Sequence, residues 1–242
     1  MFIDQQAGAN DAHLVVTTDT NQFDHQASTP TNGLAVIWNG PLAINLNGDD
    51  YSLAGALEFG ATGIFIDAES FTDQMLLTVQ NVEIIDTAQP LAVGLSVESR
   101  VASVMNILNN SFTFDDFTST GMVFNLGTNT DLLLSNNSLF FEEQEGTGVD
   151  FERIGAGSNL IIQNNQILLF DDFNGAIGTT AIPDDPPNEI PMIFGIATGS
   201  YTISGENNEF LEVFPGNFTN AVFPTFQSVP LGTIEVNGVD GP

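Results

Sequence analysis

The chain has 242 residues and a formal net charge of −29, because 31 of its residues are acidic and only two are basic. Its hydrophobic content of 42% is enough to fill a substantial core, which excludes a disordered acidic tail. Phosphate binding needs clusters of Lys and Arg, so we expect no nucleic-acid partner, and an anionic membrane surface would repel the chain.

The composition and the chain ends exclude several further classes. The chain contains no Cys, so neither a disulfide framework nor a thiolate metal site is expected. The first residues, MFIDQQAGAND, lack the basic and apolar regions of a secretory signal. No run of about 18 uncharged apolar residues is present, which predicts no transmembrane segment. The patterns at the two ends indicate a piece of a longer protein.

The apolar residues come in short runs separated by Gly, Asn, Asp, Ser and Thr, which is typical of many short β-strands. In chain order, we expect less regular rungs over residues 13–74, which include WNGPLAINLNG and FGATGIFID, and regular rungs over residues 75–180. A loop insertion with four prolines follows at residues 181–192, and C-terminal rungs occupy residues 193–242. Residues 1–242 are predicted to form a single all-β domain.

An internal repeat runs through the regular part of the chain. A marker Asn precedes the second strand of each unit, at intervals of 29, 27, 28 and 43 residues; the markers are Asn81, Asn110, Asn137, Asn165 and Asn208. A Gly that opens another strand keeps step with this marker at Gly94, Gly121, Gly148 and Gly175. Two markers in step predict one repeated structural unit.

A unit of this length holds about three short strands and cannot bury its own apolar face, so the units are expected to stack as a parallel β-solenoid. Equivalent residues then form ladders with a spacing of about 4.8 Å. Asn amides both donate and accept hydrogen bonds, which suits an inward corner. The predicted structural Asn ladder contains Asn81, Asn109, Asn110, Asn136, Asn137, Asn164, Asn165, Asn207 and Asn208. The predicted Phe stacks contain Phe112, Phe114, Phe140, Phe141, Phe151 and Phe170.

Alternating apolar residues around an Asn pair, as in NILNNSFTFDD and LLLSNNSLFFEE, give a pattern that resembles the rung of right-handed parallel β-helix proteins. Pectate lyases, polygalacturonases, phage tailspikes and autotransporter passenger domains share this pectate-lyase-like superfold. The resemblance implies a single-stranded right-handed parallel β-helix, and chain length over repeat length predicts about eight rungs of 27–29 residues. The superfold assigns no function by itself, because it hosts unrelated activities.

Polysaccharide cleavage is the commonest activity that the resemblance implies. Pectate lyases use an Arg base, for which the chain offers only Arg100 and Arg153. Of the polygalacturonase motifs, the chain has Asn-Thr-Asp at residues 129–131 and Asp-Asp at residues 171–172, but neither Gly-His-Gly nor Arg-Ile-Lys. We therefore expect no enzyme. A glycoside hydrolase, a polysaccharide lyase or a carbohydrate-binding fibre on the same fold is the alternative.

Carboxylates follow the marker Asn by five or six residues in successive units, which predicts an acidic column along the solenoid. The column contains Asp86, Asp115, Asp116, Glu142, Glu143, Asp171 and Asp172. One interpretation is a solvated face that keeps the coil soluble. The other is calcium binding by carboxylates of adjacent rungs, with Asn45, Asn47, Asp49 and Asp50 as a further candidate group.

The expected function is a non-catalytic structural or adhesive domain, secreted or at the cell surface and similar to an autotransporter passenger or a fibre segment. The chain lacks Cys and Lys, its polar residues are acidic or Asn- and Thr-rich, and its repeats predict a stiff rod. Expected partners are other copies of the chain or flanking domains, with a host surface or a polysaccharide as further candidates. The insertion at residues 181–192 is either a contact surface or an ordinary connection.

Overall fold

A computed structural model gives the fold of the chain. It describes residues 1–4, 12–25, 32–53, 61–70, 72–86, 92–115, 119–142, 146–170, 190–214, 218–221, 225–226, 233–236 and 239–240. These residues form 25 strands and no helix, which confirms the all-β prediction. In this described part of the chain, no helix is present that is long and apolar enough to cross a membrane.

The strands are short, mostly of four to seven residues. They are β1 (Phe2–Asp4), β2 (Leu14–Asp19), β3 (Gln22–His25), β4 (Asn32–Trp38), β5 (Leu42–Asn47), β6 (Asp50–Leu53), β7 (Thr62–Ala68), β8 (Met75–Gln80), β9 (Glu83–Asp86), β10 (Val93–Ser99), β11 (Ser103–Leu108), β12 (Ser111–Phe114), β13 (Thr120–Asn125), β14 (Thr130–Ser135), β15 (Ser138–Phe141), β16 (Thr147–Gly155), β17 (Asn159–Gln163), β18 (Gln166–Phe170), β19 (Ile190–Thr198), β20 (Thr202–Gly205), β21 (Glu209–Phe214), β22 (Phe218–Ala221), β23 (Thr225–Phe226), β24 (Thr233–Val236) and β25 (Val239–Asp240).

The strands form three sheets, and the chain visits the sheets in rotation. Sheet A has the order β1-β4-β7-β10-β13-β16-β19-β23, sheet B the order β2-β5-β8-β11-β14-β17-β20-β24-β25, and sheet C the order β3-β6-β9-β12-β15-β18-β21-β22. Every third strand therefore pairs in parallel with its equivalent in the next turn, for example β10 with β7 and with β13. The protein is a parallel β-solenoid, as the repeat predicted.

The number of regular turns is smaller than the prediction of about eight rungs. About five turns, from β4 to β18, have a parallel turn on both sides in all three sheets. At the C-terminal end, β22 runs antiparallel to β21 and β25 runs antiparallel to β24, so the parallel repeat does not continue in sheets B and C. The length estimate was too high because it treated these terminal strands as complete rungs.

Alternation of apolar and polar residues explains why these segments form strands with one buried face. In β11, Ser103, Met105 and Ile107 are buried, whereas the residues between them are partly exposed. A period of two places alternate side chains on opposite faces of a strand, so each strand contributes two or three side chains to the interior. The resulting core is one continuous cluster that runs from Val16 to Phe210.

Aromatic side chains stack between turns inside this core. The ring centroids of Phe114 and Phe141 are 5.0 Å apart, and those of Phe124 and Phe151 are 5.3 Å apart. Phe112 is also fully buried. Phe140 is only partly buried because it points to the other face of β15, and the side chain of Phe170 lies outside the described residues.

The glycines that mark the start of strands in sheet A lie where the interior has no room for a side chain. A Cβ atom on Gly94 would lie 2.6 Å from the carbonyl oxygen of Gly121, and one on Gly121 would lie 2.6 Å from that of Gly148. The same Cβ on Gly121 would also lie 2.9 Å from a methyl group of Leu139 in sheet C. Close packing of sheet A on sheet C therefore requires glycine at these positions.

The predicted insertion meets the solenoid at β19. This strand begins at Ile190, so the last three residues of the predicted insertion at residues 181–192 belong to sheet A. Residues 181–189 and Gly175 lie outside the described residues.

Candidate functional site

The corner between sheets B and C contains two columns of residues, and the first has a left-handed backbone. Its φ angles lie between 54° and 59° at Thr20, Asn81, Asn109, Asn136, Asn164 and Asn207, and Gly48 has a φ of 65°. Asn tolerates this conformation better than most residues because its short side chain bonds locally. Five of the nine Asn residues predicted for the ladder are therefore exposed corner residues: Asn81, Asn109, Asn136, Asn164 and Asn207.

The second column is a ladder of hydrogen-bonded Asn side chains made of Asn110, Asn137, Asn165 and Asn208. The Oδ1 atom of Asn137 accepts hydrogen bonds from the backbone N and the Nδ2 of Asn110, at 3.1 and 2.9 Å. Its Nδ2 donates to the carbonyl of Ile107 at 2.9 Å and to Oδ1 of Asn165 at 2.9 Å. Asn165 and Asn208 repeat these contacts in the next two turns. The ladder satisfies backbone groups that the corner leaves unpaired.

Towards the N-terminus the ladder changes composition. The strand register places Val82 in the ladder column, because Leu108 pairs with Gln80 and Asn81 is therefore equivalent to Asn109. The next position is Asp49, which is buried and accepts hydrogen bonds from the backbone N and Nδ2 of Asn21 at 2.9 and 3.0 Å and from the Thr18 hydroxyl. The marker Asn81 thus belongs to the corner column, one residue before the ladder position.

The one-residue offset at Asn81 also removes Asp86 from the predicted acidic column. Asp86 pairs with Phe114 in the sheet and is fully buried, whereas Asp115 and Glu142 follow the strands and are exposed. A displacement of one residue moves a side chain to the opposite face, which explains why Asp86 does not lie with the other two. Partial desolvation of the carboxyl group, and after it the charge of Asp115, raises the pKa of Glu142. Asp116, Glu143, Asp171 and Asp172 lie outside the described residues.

The described carboxylates of the predicted acidic column do not form a group that could hold a metal ion. Within the described ranges, no three His, Asp or Glu side chains are close enough together to hold a metal ion. In the NLNGDD segment, Asn47 Nδ2 donates to Asp19 at 3.0 Å, and Asn81 Nδ2 donates to Asn47 at 2.9 Å. These side chains bond to one another along the solenoid. Calcium binding stays a prediction.

We expect the acidic column to behave as a solvated face in a calcium titration. Millimolar Ca²⁺ should then raise the unfolding midpoint of a chelator-stripped sample no more than Mg²⁺ does at equal ionic strength, because screening depends on charge alone. Circular dichroism during heating measures the midpoints. A rise that Ca²⁺ alone produces, and that Asp115→Asn removes, would contradict this expectation and establish a site in the column.

A cleft at the corner between sheets A and B contains both basic side chains of the chain. Its volume is about 450 Å³, and it is lined by Glu98, Arg100, Gly127, Thr128, Arg153 and Gly155. We call it the arginine cleft. Arg100 directly follows β10 and Arg153 lies in β16, and the solenoid turn that contains β13 lies between these two strands. The Arg153 side chain reaches back across this middle turn and donates to the carbonyl of Ser99 at 3.4 Å.

A polar column on the outer face of sheet A leads to the cleft. The strand register places Asp67 beside Glu98, Glu98 beside Asn125, and Asn125 beside Arg153. An irregularity between β13 and β16 gives β16 one extra residue, so that Arg153 rather than Glu152 pairs with Asn125. Such a β-bulge redirects the following side chains, and here it brings the guanidinium group to the cleft.

This column combines an ion pair with a carboxyl group whose pKa is raised. Arg100 and Glu98 form an ion pair with a 3.8 Å separation. Burial, followed by the charges of Glu98 and Glu69, raises the pKa of Asp67 to about 6, although Arg100 acts in the opposite direction. Among the residues that the structure describes, three buried polar atoms along the column have no hydrogen-bond partner: Asp67 Oδ1, Asn125 Oδ1 and Arg153 Nε. The column therefore contains a buried donor and buried acceptors that no described residue pairs.

Replacing Asp67 by Asn is expected to stabilise the protein at pH 7 but not at about pH 4. A folded-state pKa raised above the ordinary value means that the protonated form favours folding. This contribution is complete below the unfolded-state pKa and is lost as the pH rises through about 6. Unfolding midpoints measured across this range test the sign. Asp131→Asn on the exposed face of sheet B is the control, and equal effects of both substitutions at every pH would contradict the expectation.

From the sequence, Arg100 and Arg153 were only separate candidate bases. The cleft was not predicted because the two residues are two turns apart and the bulge that orients Arg153 has no signature in the sequence. The Asn-Thr-Asp motif at residues 129–131 is structural: Asn129 has a φ of 56°, and the Thr130 hydroxyl donates to the Gly127 carbonyl at 3.1 Å. The one signal for the cleft was composition, since the chain has no other basic residues.

Comparison with known proteins assigns no family to this solenoid. The chain matches no protein-family model, no curated protein and no solved structure at a significant level.

Proposed function

We propose that the chain is a non-catalytic structural or adhesive solenoid of a secreted or cell-surface protein, and that it makes contacts through the outer face of sheet B. One observation carries the proposal. From β2 to β17, the outward side chains of this sheet are aliphatic, amide or hydroxyl side chains, with only Asp19 and Asp131 charged. The chain as a whole has a net charge of −29. A weakly charged face on so acidic a protein favours contact with another surface.

Large apolar side chains are exposed on the same face. Val15 is 62% exposed, Leu76 48% and Ile161 37%. Partly exposed Ala43 and Val104 continue the line of Val15 and Leu76 across neighbouring strands. The partner that best fits this surface is a second copy or a flanking domain that presents a similar face, because two aliphatic and weakly charged faces are complementary to each other.

Self-association through sheet B is expected to increase with salt. Two copies with a net charge of −29 repel each other at long range, and this repulsion is screened when ionic strength rises from about 50 mM to about 500 mM. Sedimentation velocity at high protein concentration should therefore show larger species at the higher salt. Leu76→Asp adds a charge to the face and should abolish them.

The matched control is Ile85→Asp, which adds the same charge to an exposed position on sheet C. It should leave the association unchanged. A monodisperse monomer at both salt concentrations, or equal effects of the two substitutions, would overturn self-association through this face.

A carbohydrate-active protein is the second candidate, and the pair Asp67 and Glu98 favours it. Neighbouring parallel strands place such side chains about 5 Å apart, which is the separation of the two carboxyl groups in retaining glycosidases. The raised pKa of Asp67 suits a general acid, whereas Glu98 is paired with Arg100. Two carboxyl groups in different environments are the minimum for this chemistry.

A panel of acidic and neutral polysaccharides separates the candidates. Turnover that both Asp67→Asn and Glu98→Gln abolish supports an enzyme, and retention without turnover supports a binding module. If neither turnover nor retention is observed and association depends on salt, the structural function is supported.

A further inference from the structure

We propose that the free edge of β2, in the first turn of the solenoid, pairs in the antiparallel direction with β2 of a second copy and so joins two chains end to end. Within the described residues, β2 is the last strand of sheet B on this side and pairs only with β5. This inference goes beyond the contact proposed for the outer face of sheet B and does not depend on it, because the free edge points along the solenoid axis.

The backbone of β2 supplies donors and acceptors for such a partner. The N–H groups of Leu14 and Thr20 donate to carbonyls of the next turn, at 3.0 and 2.9 Å. Successive residues of a strand direct their N–H and C=O groups to opposite sides, so those of Val15, Thr17 and Asp19 point away from β5. In the part of the chain that the structure describes, no strand lies beside them. Such a row of unpaired groups is a template for a further strand.

The length and sequence of β2 distinguish it from the other edges of the solenoid. It has six residues, whereas the other described strands at the ends of the three sheets, β1, β3, β22, β23 and β25, have two to four. Short strands, Pro and Lys are common means of protecting an edge. The segment LVVTTD contains neither Pro nor Lys, and four of its six residues are β-branched, which favours strand pairing. Among the described strands, only another copy of β2 matches this edge in length.

The sequence of β2 is complementary to itself in the antiparallel direction. With a two-fold axis at Val16, Val15 lies opposite Thr17 of the second copy, and both residues direct their free N–H and C=O groups to the shared side. The exposed His13, which directly precedes β2, then lies opposite the exposed Asp19. An imidazole N–H can donate to a carboxylate at both ends of this pair of strands. A second copy is therefore the occupant that the edge fits.

The first turn also exposes apolar surface that a second copy would cover. Phe2 and Val15 are 66% and 62% exposed, the highest values among the large apolar side chains that the structure describes. Ile3 and Phe23 are only partly buried, although both pack against the core. A two-fold axis at β2 exchanges sheets A and C, so β3 of one copy faces β1 of the other. The partly buried Phe23 and Ile3 then lie on surfaces that meet.

End-to-end contact limits the repulsion between two chains that each have a net charge of −29. Side-by-side contact places every turn of one chain next to the other chain, whereas end-to-end contact separates most turns by several spacings of about 4.8 Å. At about 50 mM salt, exposed charges more than roughly 15 Å apart are largely screened. We therefore expect the end-to-end dimer already at low salt, where association through sheet B is weak.

The absence of Cys makes a direct test possible. Single-Cys variants are prepared in the Leu76→Asp background, which removes association through sheet B, and are oxidised with copper phenanthroline at about 50 mM salt. Val16→Cys places each thiol opposite its equivalent, at a Cα separation of about 4.5 Å that permits a disulfide. Thr17→Cys gives a diagonal separation of about 7–8 Å, which is too long. Covalent dimers of Val16→Cys should form at least about tenfold faster than those of Thr17→Cys, or of Ile85→Cys on sheet C.

Equal rates for the three variants, or faster cross-linking of Thr17→Cys than of Val16→Cys, would overturn the proposed pairing. Thr17→Pro tests it without a thiol, because it removes an N–H that β5 does not use. Thr17→Pro should convert the dimer seen by sedimentation velocity into a monomer, whereas Thr17→Val, which keeps this N–H, should not. This comparison decides if Val16→Cys lacks the circular dichroism spectrum of the native protein. A monomer in the Leu76→Asp background without further substitutions, or equal dimer fractions for Thr17→Pro and Thr17→Val, would also overturn the proposal.

Discussion

Replacing Asn137 by Ala is expected to lower the free energy of unfolding by about 2–4 kcal/mol, because it leaves a buried backbone N–H without its acceptor, at about 1–3 kcal/mol, and breaks the ladder. This N–H is that of Asn110, and the carbonyl of Ile107 loses the side-chain donor. The side-chain contact to Asn165 is lost as well. Urea unfolding followed by circular dichroism measures the change as a lower midpoint at constant slope.

The neighbouring Asn136 provides a matched control. It has a φ of 56° and an exposed side chain, so Asn136→Gly relieves the backbone without removing a ladder bond. We expect a change within about 1 kcal/mol. Equal losses for Asn137→Ala and Asn136→Gly would show that the ladder is not the source of the stability.

A second large effect is expected for Gly121→Ala, with a loss of about 3 kcal/mol or failure to fold. The added methyl group would lie 2.6 Å from the Gly148 carbonyl oxygen and 2.9 Å from Leu139. The carbonyl belongs to the sheet and cannot move independently, whereas a side chain can. Unfolding midpoints in urea compare this variant with Val123→Ala, which changes a partly exposed position of the same strand.

The double variant Gly121→Ala with Leu139→Ala distinguishes the two contacts. We expect no rescue, because truncating Leu139 makes room only on the sheet C side and leaves a cavity of its own. Recovery of stability in the double variant would mean that the Leu139 contact, rather than the Gly148 carbonyl, excludes a side chain at position 121.

The sequence predicted the architecture because the repeat depends on local rules. Asn pairs and strand-opening glycines recur in step, and both have structural reasons: the first Asn of a pair takes the left-handed corner, the second joins the ladder, and the Gly avoids a carbonyl oxygen. The sequence did not show which Asn of a pair has which role. Where only one Asn is present, at Asn81, the choice was wrong by one residue, and Asp86 was placed on the wrong face as a consequence.

The arginine cleft was not predictable in the same way. Its geometry depends on a register shift between β13 and β16 and on a contact from Arg153 to Ser99 two turns away. A periodic pattern predicts what repeats in every turn. A feature that occurs once, through a departure from the repeat, leaves no trace in the period.

Val82 gives the solenoid an internal boundary. Each ladder Asn passes a hydrogen bond to its equivalent in the next turn from Asn110 to Asn208, and Asn21 does the same with Asp49, but Val82 has no side-chain amide to join the two series. Stacked turns behave as a one-dimensional chain of nearest-neighbour couplings. The ladder is therefore interrupted between β6 and β9, where the bond from Asn81 Nδ2 to Asn47 is the side-chain contact that joins the two turns at this corner. We expect the first two turns to open more readily than the turns behind them, which hydrogen exchange would detect.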